Sequence, residues 1–317
     1  MKYFCDLFIS FMKRSHTTQG IIFALITALL WGFLPIILKV VLNRISPISV
    51  TWFRFFSASV FIILFYIIKK PSDLKLMIHP PWLLIIAACC LGLNYLGFIN
   101  GVHFTTPAIA EVFIQTGAIL LAISGFIIFR ETISRRQLLG IVLVFGGMAV
   151  FYHDQIILLA GNISRYQKGV FLTIAGGVLW TGYAVLQKRL VQQYNPLQLN
   201  LVLFSLPALA FIPFVNFEEF KGLSVGIWAV LIFLGVNTFI AYGALAYALK
   251  YLDANKVSVI ITMNPIITFL ALAAMIVFDI QWIAHEKFTW ISIVGALTVI
   301  TGVILTVLQR KIEKSKN

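Results

Sequence analysis

Residues 28–39 read ALLWGFLPIILK, and residues 177–188 read GVLWTGYAVLQK. Both stretches place Leu-Trp in an apolar run and close that run with a lysine, Lys39 in one and Lys188 in the other. The match extends beyond these windows. Gly20, Leu30, Trp31, Lys39 and Pro47 meet Gly169, Leu179, Trp180, Lys188 and Pro196 at constant spacing. LGLN at 91–94 returns as LGVN at 234–237, and Glu131, Gly140 and Gly147 return as Glu286, Gly295 and Gly302. The chain is written twice.

What is duplicated is a set of membrane spans. The sequence is 61% hydrophobic and 11% charged, with a mean hydropathy of +0.99. Soluble domains are about a quarter charged, so only a bilayer accommodates this much apolar side chain. Apolar windows of about 20 residues, the length that crosses a hydrocarbon core, fall at 19–42, 48–68, 82–103, 107–128, 135–152, 169–190, 197–215, 226–249, 256–278 and 288–308. Five spans per copy is an odd number, so the second copy enters the membrane from the opposite side. The expected fold is an all-α integral membrane protein with ten transmembrane helices in two inverted five-helix repeats. The first repeat covers 19–152 and the second 169–309. An external linker spans 153–168, and a basic cytoplasmic tail spans 310–317. The N-terminal segment 1–18 is cytoplasmic; Phe4, Leu7, Phe8 and Phe11 share one helical face there, which fits an interfacial helix.

The net charge of +13 reads as lysine and arginine gathered in short loops on one membrane face. That distribution puts both termini in the cytoplasm, and it excludes nucleic acid as a partner. Cys5, Cys89 and Cys90 have no metal spacing. The five histidines, His16, His79, His103, His153 and His285, are scattered. No metal, cofactor or nucleotide motif emerges, so enzyme chemistry is not expected.

Three features together resemble a known family. ALLWG opens the first span, followed by Lys39, SP at 46–47 and RF at 54–55. GVHFTTPAIAE at 101–111 matches ALKYLDANKVS at 248–258, and RETISRRQLLGIVLVFGG at 130–147 joins spans four and five. The chain resembles the drug/metabolite transporter (DMT) superfamily, and within it the ten-helix, two-repeat EamA-type proteins. The resemblance implies a secondary transporter of the inner membrane, usually an exporter of amino acids or other small metabolites. It also implies a central cavity lined by helices 1, 3, 4, 6, 8 and 9. The sequence departs from that pattern at Gly117-Ala118, where a proline is common, while Pro265 keeps it in the second copy. Glu111 stands opposite Ser258.

A charged or amide side chain within the membrane needs a partner or a wet cavity. Glu111 therefore reads either as half of a fixed ion pair or as a protonatable, cation-binding carboxylate. Lys39, Arg54 and His103 are expected near it, as gate or ion-pair residues. Lys39 and its equivalent Lys188 each read either as a snorkelling anchor or as part of a gate or a substrate-facing ion pair. Gln115 follows Glu111 by one turn, and Ser258 and Thr262 hold the equivalent places. Asn94 and Asn237 are equivalent and deep. Trp31 and Trp180 lie too deep for an interfacial belt and serve either packing or substrate stacking; Tyr183 flanks the second. Asn100, Tyr95, Tyr242 and Asn264 are weaker pathway residues. Pro35, Pro207, Pro213 and Pro265 are expected to kink their helices, and the paired glycines of spans five and ten are expected to form scaffold. The partners implied are a small-molecule substrate, membrane lipid and a coupling proton or cation, with the chain a monomer or a dimer. The alternatives are a membrane-embedded lipid-modifying enzyme and a channel or sensor.

Overall fold

The computed structural model describes residues 15–151, 153, 164–278 and 289–307. The expected interfacial helix, most of the 153–168 linker, Glu286 and the basic tail lie outside them.

The helices of eight residues or more are α1 (His16–Leu42), α2 (Pro47–Lys69), α3 (Trp82–Phe104), α4 (Pro107–Ile127), α5 (Arg135–Phe151), α6 (Ser164–Leu190), α7 (Pro196–Phe211), α8 (Val225–Tyr251), α9 (Ala254–Ile261), α10 (Asn264–Val277) and α11 (Trp290–Val307). Among the described residues, eight segments are long and apolar enough to cross a bilayer; α9 and α10 together form one of them. The other two helices, α5 and α11, are shorter and pack against each other.

Helix starts are written locally. Proline opens α2, α4 and α7, where its missing N–H costs nothing. Thr106 and Asn195 accept from Ile109 N and Leu197 N, and Ser224 accepts from Ile227 N. The outer surfaces carry Leu25, Leu29, Phe33, Leu64, Val142, Leu270 and Leu297, all exposed. Arg54, Asn94, Glu111, Gln115, Gln187, Asn200 and Asn237 are turned inward. That distribution suits lipid outside and polar groups satisfied within.

The packing obeys the duplication. Helix α3 lies along α6 as α8 lies along α1; α4 touches α6 as α9 and α10 touch α1; α7 packs on α3 as α2 packs on α8. Equivalent helices also meet directly: α5 with α11, α2 with α7, α4 with α9. The α5–α11 contact gives the sense of the relation. A Cβ on Gly140 would meet Gly302 O at 2.7 Å, and one on Gly147 would meet Gly295 O at 3.0 Å. Rising numbers on one helix face falling numbers on the other, so equivalent helices run antiparallel, as an inverted pair must.

Two proline expectations need correction. Pro213 does not kink a helix: it sits in the 3-10 turn Ile212–Phe214 that ends α7. Pro265 does not bend a continuous ninth helix. It stands second in α10, after a break at Thr262-Met263. Without an N–H, Pro265 cannot donate to the carbonyl of Ile261. Asn264 replaces that bond. With its amide nitrogen turned toward the two carbonyls, it donates to Ile261 O at 2.8 Å and Ala28 O at 3.1 Å. The first repeat has Ala118 at the matching place, and α4 runs unbroken. Pro35 and Pro207 do lie inside α1 and α7.

Candidate functional site

A cavity with about 540 Å³ of empty space, its open mouth included, lies between the repeats. Trp31 and Leu34 reach it from α1, and Asn94, Tyr95 and Phe98 from α3. Glu111, Ile114, Gln115 and Ala118 form the α4 wall; their spacing of three and four residues puts them on one helical face. Trp180 of α6, Tyr242 of α8, and Ile261 and Asn264 at the α9–α10 break complete that ring. Arg54 adds the second helix, which the resemblance leaves out of the lining.

The two tryptophans sit where the repeats meet. Trp31 and Trp180 pack edge to face with ring centroids 5.9 Å apart. Tyr242 underlies them, 5.1 Å from Trp31, 5.6 Å from Tyr95 and 5.7 Å from Tyr183. The wall is thus aromatic over much of its area, with a few convergent polar groups, the usual make-up of a small-molecule site. Three of those groups are buried without a partner: Glu111 Oε2, Gln115 Oε1 and Trp180 Nε1. A buried polar atom left unpaired is costly, and native structures keep few. Here three converge on one cavity.

Most of the other residues singled out from the sequence fall elsewhere. Asn237 donates to Leu30 O at 2.9 Å, and Asn94 donates to Gly176 O at 2.9 Å from the cavity wall. Ser258 donates to the carbonyl of Ala118, Thr262 to that of Val259, and neither lines the cavity. Tyr183 is fully buried behind Tyr242. The His103 ring packs on Phe104 at 5.1 Å. Lys39 Nζ donates to the carbonyls of Val102, His103 and Thr105, and Lys188 Nζ to those of Leu249 and Leu252. Both lysines therefore close helix C-termini, where four carbonyls lack intrahelical donors and the helix dipole is negative. Tyr95, Tyr242 and Asn264, weak from sequence, line the cavity. The missed signal was position: Tyr95 follows the duplicated LGLN, and Asn264 precedes the proline that breaks the ninth span.

Glu131, in the loop between α4 and α5, holds the start of a helix of the other repeat. Its Oε1 accepts from Ala254 N at 2.6 Å and its Oε2 from Asn255 N at 3.1 Å, at the start of α9. Asp253, the N-cap position, instead pairs with Lys256 at 2.7 Å. Arg130, with φ of 52°, turns the chain so that Glu131 folds back.

Comparison with known proteins follows the same duplication. The sequence profile described as "EamA-like transporter family" matches twice, at residues 18–152 and 167–308. An "Uncharacterized transporter" of Haemophilus influenzae is 33% identical over 96% of this chain and 99% of its own length. An "Uncharacterized inner membrane transporter YhbE" of Escherichia coli is 28% identical over 92% of each chain. A "Probable amino-acid metabolite efflux pump" of Escherichia coli is 22% identical over 90% of this chain and 94% of that protein. A solved crystal structure, 16% identical, superposes with a TM-score of 0.71 over 91% of this chain and 97% of that one, a likeness of fold. With both halves matched and a third of its residues shared along nearly its full length with one relative, the chain belongs to the EamA-like transporter family.

Proposed function

We propose that the protein is a secondary transporter that exports a small metabolite, an amino acid or a related compound, across the inner membrane by alternating access, with Glu111 as the coupling carboxylate for a proton or cation. One observation carries the reading. The two repeats line the cavity unequally: ten of its fourteen lining residues belong to the first. Leu34, Asn94, Glu111 and Gln115 line it, whereas their repeat equivalents Tyr183, Asn237, Ser258 and Thr262 do not. Exchanging the conformations of the two repeats closes the first set and opens the second toward the other face, which is how inverted repeats alternate.

Unspent polar groups mark that second route. Tyr183 Oη, Gln187 Oε1 and Asn200 Nδ2, on α6 and α7, are buried without partners. Water reaches them when the pathway opens on their side. The names of the E. coli relatives support the inner membrane and the amino-acid class.

Single cysteines at Gln115 and Thr262, in a chain freed of Cys5, Cys89 and Cys90, test alternation. A membrane-impermeant thiol reagent should label them from opposite faces, and an amino acid gradient should shift the two in opposite directions. Labelling of both from one face sinks it. Counterflow of radiolabelled amino acids in proteoliposomes tests the substrate class.

A further inference from the structure

Arg54 lies about two turns into α2 and is 1% exposed. A guanidinium at that depth ordinarily meets a carboxylate, because an unpaired buried charge is strongly disfavoured. Among the described residues the ion pairs are Lys70–Asp73, Lys221–Glu218 and Lys256–Asp253, and none includes Arg54. Neutral groups hold it instead. Nε donates to Thr238 Oγ1 at 3.0 Å, Nη2 donates to Tyr95 Oη at 3.4 Å, and the guanidinium carbon stands 4.5 Å over the Tyr95 ring. Tyr95 and Thr238 follow the two copies of the LG-Asn segment, so the fork is clasped by equivalent positions of both repeats. These contacts use two of five N–H donors and fix the plane without neutralising the charge. The remaining edge belongs to a residue that lines the cavity. A rigid guanidinium fork with donors to spare is the side chain best matched to a carboxylate.

We propose that Arg54 is the anion subsite of the cavity, and that the transported solute carries a carboxylate which docks on it. The inference rests on the transporter reading of the same cavity and deepens it by naming the group the solute must bear. Glu111 on the α4 wall repels that carboxylate and so orients the solute, anionic end toward α2. Amines and amides of the same shape leave Arg54 unpaired and bind more weakly. Cavity walls rich in tryptophan and tyrosine take the apolar remainder.

The test uses the purified full chain in lipid nanodiscs. The probes are L-phenylalanine, L-leucine and L-threonine, each beside its amide and its decarboxylated amine, with binding read from tryptophan emission. In the wild type at least one acid should bind about 10- to 100-fold tighter than its amide, the ratio expected of a charge-assisted bidentate pair. Arg54→Gln should bring the acid's affinity down to the amide's and leave the amide's unchanged, which also shows that the variant is folded. Should R54Q lose its cooperative thermal transition, Arg54→Lys carries the test and must weaken the acid more than the amide. No preference for any acid in the wild type, or parallel losses of acid and amide in the variants, overturns the subsite. Movement of amides or amines in proteoliposomes without acid preference would sink the subsite and leave transport standing. Acid-selective binding with no solute movement would do the reverse.

Discussion

Lys39 and Lys188 make the same contact in the two repeats. Each lysine ends the apolar run of its repeat's first helix and donates to the carbonyls at the C-terminus of that repeat's third helix. The acceptors are equivalent as well: Val102 with Leu249, and Thr105 with Leu252. Each ammonium group thus pins the two-residue turn that leads into α4 or α9, the helices that carry Glu111 and Ser258.

Because these lysines satisfy helix-end carbonyls rather than reach for water, shortening them is costly. Lys39→Met and Lys188→Met should each destabilise the protein by about 1–3 kcal/mol, the penalty for leaving part-buried acceptors without their charged donor. Thermal unfolding in detergent measures this. Two neutral substitutions would restore the snorkelling-anchor reading.

Glu131→Ala should cost about 1–2 kcal/mol, since the carboxylate takes two N–H groups at the N-terminus of α9 and opposes its dipole. Glu131→Gln should cost less, keeping one acceptor. Arg130→Gly should raise stability by about 1 kcal/mol by relieving a left-handed backbone conformation at a residue with a Cβ. A loss on R130G would mean that its side chain holds the loop.

The α5–α11 seam predicts different outcomes for a glycine inside it and one that faces away from it. A Cβ on Gly302 would stand 2.5 Å from Gly140 O, a backbone atom that cannot swing aside, so Gly302→Ala should destabilise by about 1–3 kcal/mol. Gly146 faces open space, and Gly146→Ala should be neutral or gain up to about 1 kcal/mol from helix propensity. Equal effects of the two substitutions on the unfolding midpoint would contradict the seam.

Glu111→Gln separates folding from transport. The carboxyl has an unpartnered oxygen and belongs to none of the ion pairs among the described residues, so an isosteric neutral side chain should leave the thermal midpoint unchanged or raise it. Solute counterflow should fall by at least about tenfold, the scale of one lost charge-assisted contact, and lose its pH dependence. A drop in stability with transport retained would make Glu111 a structural residue.

The duplicated Leu-Trp and lysine runs, with the apolar windows, determined that this chain is a helical membrane protein built twice. They did so because a bilayer leaves the backbone few choices, and repeats preserve spacing through divergence. The spacing of Gly140 and Gly147 announced a seam, and Glu111 and Arg54 stood out as charges in lipid. Whether a given polar residue faces the cavity was another matter. Ser258 and Thr262 carry the same helical pattern as Glu111 and Gln115, yet they donate to the carbonyls of Ala118 and Val259 and stay out of the cavity wall. Periodicity is a property of one helix, whereas exposure is set by how two repeats lean on each other. For the same reason Lys39 could not be told from an anchor and Arg54 could not be placed in the cavity wall: their partners, the carbonyls of α3 and the hydroxyls of Tyr95 and Thr238, come from helices that only tertiary packing brings alongside.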